Sequence, residues 1–224
     1  MRYTCENDHV RNLANFDALI AKIVDYGRYY KPSKSAIQLQ ALSIVSQNAK
    51  AAIANVTLLT GDYVHSVNLR EVAFDSLKEL NKKIYQVLQI SNSISETEMY
   101  MLVGSSKVIC NPFSSQQRYD FLLENFCKMI KLLKANPLYL PKKTELQLSK
   151  LEEFYAILYL KNSEVKQNQA WLSNACLIRN EVFYRDHNGL LALATAAKMY
   201  IKYHFGWDSK QFKQVADLLI KKAK

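Results

Sequence analysis

Between residues 6 and 29 the apolar side chains Val10, Leu13, Phe16, Leu19, Ile20, Ile23 and Val24 recur at three- and four-residue steps, the stripe of an amphipathic α-helix. Tyr29-Tyr30-Lys31-Pro32 should end it, because proline lacks the amide donor a continuing helix needs and disfavours helical geometry before it. Ser35-Ala36-Ile37-Gln38 has the form of a capping box, which predicts a second helix from Ser35 toward Leu59. Gly61 is placed to stop that helix, and Val67, Phe74, Leu77, Leu80, Ile84, Val87 and Leu88 predict a third, to about Ile90. Residues 91–114 are rich in serine and carry Gly104 and Asn111-Pro112, so they read as a connection with a short helix from Glu96 to Leu102. Ser114-Ser115-Gln116-Gln117 then repeats the capping signature ahead of Phe121, Leu122, Phe126, Met129, Ile130 and Leu133, a helix that should stop at Asn136-Pro137.

From there the chain repeats itself. Tyr30 to Leu42 aligns without gaps with Tyr139 to Leu151, sharing Tyr, Pro, Lys, Gln and two Leu at the same places. At the same spacing Leu69-Arg70 meets Ile178-Arg179. After a six-residue insertion around Asn188-Gly189, Lys83-Ile84-Tyr85 meets Lys198-Met199-Tyr200, and Ser93 to Glu96 meets Asp208 to Gln211 as the start of a short last helix. The expected fold is therefore all-α: two similar antiparallel helical bundles from an internal duplication, residues 1–110 and 111–224.

Composition supports few, long elements, since five Gly and four Pro in 224 residues are too few for the turns of a β protein. The start of the chain lacks the apolar stretch of a secretion signal, and Lys198 interrupts the longest weakly polar run before it reaches membrane-spanning length, so a soluble cytoplasmic protein is expected. Cys5, Cys110, Cys127 and Cys176 are too scattered for a zinc site or a disulfide framework. The net charge of +10 sits mostly in the second half, where 18 basic face 10 acidic residues, against 12 and 10 in residues 1–112. Lys198, Lys202, Lys210, Lys213, Lys221 and Lys222 form the candidate polyanion-binding set, interleaved with Tyr200, Tyr203, Phe205 and Trp207.

Catalytic chemistry finds little to stand on. Glu6-Asn7-Asp8-His9 and Asp62-Tyr63-Val64-His65 have helical ligand spacing, but a carboxylate-bridged metal bundle needs further glutamates from two other helices, so neither metal nor cofactor is expected. The polar run Arg179 to Gly189 fits helical ion pairs among Arg179, Glu181 and Arg185, followed by a helix end and turn at His187-Asn188-Gly189. No phosphate loop, nucleophile elbow or Cys–His pair is present.

The run Arg179 to Tyr184, then Gly189-Leu190, Lys198-Met199-Tyr200 and Phe205-Gly206 through Val215, resembles uncharacterised duplicated helical-bundle proteins of Bacteroidota. The resemblance covers mainly the last 50 residues; it implies a two-bundle fold and supplies no activity. The leading expectation is thus a non-enzymatic interaction or structural protein with a protein partner, a homo-oligomer being compatible with it. Sequence-independent nucleic-acid binding comes second and a bundle metalloenzyme third; no membrane association is expected.

Overall fold

The computed structural model describes residues 4–90 and 115–222, and no strand occurs among them. The described α-helices are α1 (Thr4–Tyr26), α2 (Leu39–Ile90), α3 (Ser115–Ala135), α4 (Leu148–Tyr184), α5 (Leu190–Phe205) and α6 (Lys210–Ala216). None is long and apolar enough to cross a membrane. They form two compact units: Met1–Gly61 with Ala170–Lys224, and Asp62–Gln169. These units cut the chain differently from the halves 1–110 and 111–224, because α2 and α4 each give residues to both. The short helix expected at 96–102 and the cap at Ser93 to Glu96 lie outside the described residues.

The largest departure from the sequence reading is α2, a single helix of 52 residues that passes through Gly61. Its buried positions explain why it does not stop. Leu42, Ala49 and Val56 in the first unit, and Arg70, Leu77 and Ile84 in the second, are all buried and fall on one seven-residue repeat, with half-buried Tyr63 filling the gap. Seven residues are close to two helical turns, so these side chains form one stripe whose register runs uninterrupted past the glycine. A lone glycine costs a helix about 1 kcal/mol, less than the burial of a single leucine on that stripe returns. In α4, Leu151, Leu158, Val165, Leu172 and Arg179 repeat the pattern, each buried.

The capping box expected at Ser35 to Gln38 does not form, and the one expected at Ser114 to Gln117 begins outside the described residues. Ser35–Ile37 and Thr144–Leu146 are each one 3₁₀ turn, and α2 and α4 begin later, at Leu39 and Leu148. Gln38 and Gln147 are extended, at ψ 151 and 145, and their carbonyls accept the first helical bonds, from Leu42 and Leu151 at 3.0 Å each. A buried tyrosine dictates this arrangement: the Tyr30 hydroxyl donates to the Ile37 carbonyl and the Tyr139 hydroxyl to that of Leu146, both at 2.7 Å. Burial pushes the Tyr139 hydroxyl up to about 12, and that of Tyr30 well above its ordinary value, so both remain protonated donors. Leu39 is exposed as a result, whereas Leu42 is fully buried. Val10 and Val24 of α1 are likewise exposed.

Each unit has its own core. In the first, Leu13, Phe16, Leu19 and Ile23 of α1 pack with Ile37, Leu42 and Ala49, with Phe183, and with Leu190, Ala197 and Ile201 of α5. In the second, Leu123, Phe126, Met129 and Leu133 of α3 pack with Leu146, Leu151 and Leu158, with Phe74, and with Leu77, Ile84 and Leu88 of α2. The alignment of Lys83-Ile84-Tyr85 with Lys198-Met199-Tyr200 fails here, since Ile84 is fully buried and Met199 is 66% exposed. Burial instead matches Leu77 with Leu190, Ile84 with Ala197 and Leu88 with Ile201.

Residues 185–189 separate α4 from α5. Arg185 pairs with Glu181 as expected of an i,i+4 couple, but Arg179 is buried and bonds the Asn180 side chain instead. The left-handed residue of the turn is His187, at φ 67, and not Gly189. Gly189 is required for a different reason: a Cβ there would lie 2.6 Å from the Arg185 amide nitrogen and 2.7 Å from its carbonyl oxygen, atoms of a turn that cannot give way. At Gly61 a Cβ meets nothing within 4 Å. Gly61→Ala should therefore raise stability by about 0.5–1 kcal/mol, and Gly189→Ala should lower it by about 1–3 kcal/mol. Urea unfolding reads both, and a destabilised Gly61→Ala protein would contradict the continuous helix.

Candidate functional site

In the second unit the heptad stripe of α2 carries an arginine where its neighbours are apolar. Arg70 is 3% exposed, and its guanidinium lies over the Tyr119 ring of α3 at 4.0 Å. Its Nη1 donates to Gln116 Oε1 at 2.6 Å and to Asn162 Oδ1 of α4 at 3.2 Å. Asn162 Nδ2 in turn donates to Asp120 Oδ1 at 2.6 Å, and Lys166 pairs with the same carboxylate at 2.8 Å. One buried cation thereby ties α2, α3 and α4 together through two amides, which carry the network on to the Asp120 carboxylate. Burial pulls the Arg70 guanidinium below its ordinary value. Burial also pushes Asp120 up, but bonds from Lys166, Asn162 and Gln116 outweigh it and hold the carboxylate below its usual range. Arg70 Nε is buried with no partner.

Beside this network the last turns of α2 and the facing side of α3 enclose an open groove of ≈ 580 Å³. Its floor is apolar, made by Phe74, Leu77, Ile84, Leu88, Leu122 and Met129, and Glu71, Asp75, Lys78, Lys82 and Arg118 lie at its edges. Asn81 lines it too, and its Oδ1 is buried without a partner. Asn125 lies on α3 between Leu122 and Met129 at helical spacing, and its Nδ2 is also buried and unpartnered. A second hollow, ≈ 780 Å³ and shallower, is lined by Asp120, Cys127, Tyr155, Tyr159 and Lys166.

In the first unit the helix pair α1 and α5 is covered by α6 and the residues that follow it. Val215 of α6 is buried, and Phe212, Leu218 and Ile220 pack on the core. Asn15 Nδ2 donates to the Leu219 carbonyl at 2.7 Å, while Asn12 donates to the Lys221 carbonyl at 2.6 Å and accepts from its amide at 3.1 Å. Tyr26 donates to the Gln211 carbonyl at 2.7 Å. Leu219 and Lys221, beyond the end of α6, are held by these bonds.

The candidate lysines separate accordingly. Lys198 is half-buried, with Nζ donating to the Leu218 carbonyl at 2.5 Å, and burial lowers its pKa. Lys202, Lys210, Lys213, Lys221 and Lys222 are exposed; Lys202 faces the Phe212 ring and Lys213 pairs with Asp208. Of the residues with metal-ligand spacing, His9 is buried against Phe183 and Tyr184, whereas Asp62 and His65 are exposed. Among the described residues no three His, Cys, Asp or Glu come together as a metal site would need. Cys127 and Cys176 are free and half-buried.

Sequence reasoning missed the groove, the Arg70 network and both orphaned asparagines. A signal for one of them existed. Leu13, Asn15, Phe16 and Ile20 recur 110 residues later as Leu123, Asn125, Phe126 and Ile130, so the groove asparagine is repeated in register with the core. Comparison with family models, curated proteins and solved structures found no match to this chain. The site's reading therefore rests on its own geometry.

Removing the buried cation should strand the amides built around it, so Arg70→Ala is expected to cost about 3 kcal/mol or more in urea unfolding. The depressed Asp120 carboxyl contributes stability that is present above its unfolded pKa and lost as pH falls through its lower folded value. Acid unfolding should consequently be less steep in Asp120→Asn; an unchanged acid profile would show that the carboxylate does not support the network.

Proposed function

We propose that the chain is a non-enzymatic interaction protein, built from one helical unit used twice, whose working surface is the α2–α3 groove of the second unit. The observation that carries this reading is the groove itself, an apolar floor with a charged rim, which is the composition of surfaces that accept an amphipathic protein segment. Duplication is supported by the paired tyrosine-to-carbonyl bonds of the two loops and by the matching core positions Leu13 with Leu123, Phe16 with Phe126, Leu42 with Leu151 and Phe74 with Phe183. A photo-crosslinking amino acid in place of Tyr85, which lines the groove, should give a discrete protein adduct in cells of the native host. Leu122→Asp should abolish that adduct; its persistence would move the working surface elsewhere.

A second reading, polyanion binding, is favoured by the exposure of Lys202, Lys210, Lys213, Lys221 and Lys222 in the first unit. Should it hold, replacing Lys210, Lys213, Lys221 and Lys222 with Gln weakens binding to every nucleic-acid sequence alike and flattens its salt dependence, because neutralising phosphates releases counterions without reading bases. A gel shift against generic duplex and single strand measures this, and unmodified protein that fails to shift either removes the reading.

A further inference from the structure

The fold divides the aromatic residues that follow Lys198. Tyr200 packs edge-on to Tyr30 with ring centroids 5.2 Å apart, Phe205 lies against Tyr26 at 5.4 Å, and Phe212 packs on the core of the first unit. Tyr203 and Trp207 are left outside, 90% and 70% exposed, and neither ring has a partner among the described residues. We infer that these two rings are base-stacking platforms, and that the lysine-rich surface carrying them binds single-stranded nucleic acid. The inference rests on the polyanion reading and adds to it the class of nucleic acid.

An indole is a side chain that folded proteins mostly bury, because its large apolar face is costly to leave in water. A stacked base removes that face from water. The backbone holds both rings in place. Tyr203 stands in the last turn of α5, which Gly206 closes at φ 92, a conformation open without strain only to glycine, its amide donating to the Lys202 carbonyl at 3.0 Å. Trp207 follows at once, in a turn fixed by the Ser209 hydroxyl, which donates to the Gly206 carbonyl at 2.7 Å and accepts from the Phe212 amide at 3.1 Å. Cations accompany the rings: Lys202 precedes Tyr203, Lys210 follows Trp207 by three residues, and both are exposed. Residues 198–222 hold six lysines against Asp208 and Asp217, and Asp208 pairs with Lys213. Aromatic faces beside ammonium groups suit a strand whose bases are splayed away from its phosphates. In a duplex the base faces are stacked on one another and closed to a protein ring, so the aromatic pair favours the single strand. A polyanion without bases gains nothing from it.

Two titrations of the full-length protein at low salt test this. Fluorescein-labelled oligothymidylate, oligouridylate and a duplex of equal length are compared by polarisation, and one or both single strands should bind about tenfold or more tightly than the duplex. Tyr203→Ala and Trp207→Ala should each weaken single-strand binding about fivefold or more, the loss of one stacked base. Heparin affinity and the urea midpoint should stay unchanged in both variants, because neither ring supports the core. In Trp171→Phe protein, which keeps Trp207 as its one tryptophan, bound single strand should quench the indole emission and heparin should not. Duplex bound as tightly as single strand, or aromatic variants that bind like the unmodified protein, would overturn the inference, while a loss of affinity on replacing the lysines with Gln would keep the polyanion reading. Failure to bind single strand, duplex and heparin alike refutes both.

Discussion

Two helices bury every seventh residue along their length, and the rest of the molecule is arranged around that constraint. Residues seven apart stay on one stripe, so a helix with a continuous heptad of buried side chains cannot be interrupted without turning its later apolar residues toward water. This is why α2 runs through Gly61, and why it supplies Leu42 and Ala49 to one core and Leu77 and Ile84 to the other. The first unit is assembled from two separate stretches of chain, and the second is the stretch between them.

On that frame, short polar devices set the local geometry. A buried tyrosine hydroxyl fixes the entry to each long helix by holding one carbonyl, of Ile37 or Leu146, and so delays the helix start. Asn12, Asn15 and Tyr26 hold the covering segment of the first unit mainly through its backbone atoms, with one longer bond from Tyr26 to the Gln214 side chain. Backbone recognition asks little of the segment's polar side chains, and specificity then resides in Phe212, Val215, Leu218 and Ile220, the residues that meet the core.

Arg70 and Arg179 occupy one heptad position of α2 and α4 and are both buried, but their surroundings differ. Arg70 is bonded across three helices and lies over an aromatic ring, whereas Arg179 has Asn180 as its hydrogen-bonding neighbour. A buried charge is tolerated only where polar groups surround it, so the Gln116–Asn162–Asp120 arrangement is what makes an arginine tenable on an otherwise apolar stripe. That arrangement fixes the start of α3 against α2, and with it the wall of the neighbouring groove.

The helical class, the proline-bounded ends of α1 and α3, and the likeness of residues 30–42 to 139–151 were legible in the sequence, because each depends on periodicity or backbone chemistry within a few residues. Signals of comparable strength misled where burial outweighed them. Gly61 marks a helix end only if nothing beyond it must be buried in register, and Ser35 caps a helix only if Tyr30 leaves the Ile37 carbonyl free. Lys-x-Tyr recurs at 83–85 and 198–200, but the core ignores identity: Ile84 is buried where Met199 is exposed. The Arg70 network and the groove join residues of α2, α3 and α4 that lie 42 to 92 positions apart. Lys198 was grouped with solvated lysines until the covering segment gave it carbonyls to bond. Local sequence chose the helices and their outer faces; which side chains became partners was decided by tertiary packing, since a buried polar group is defined by the neighbours that remove its water.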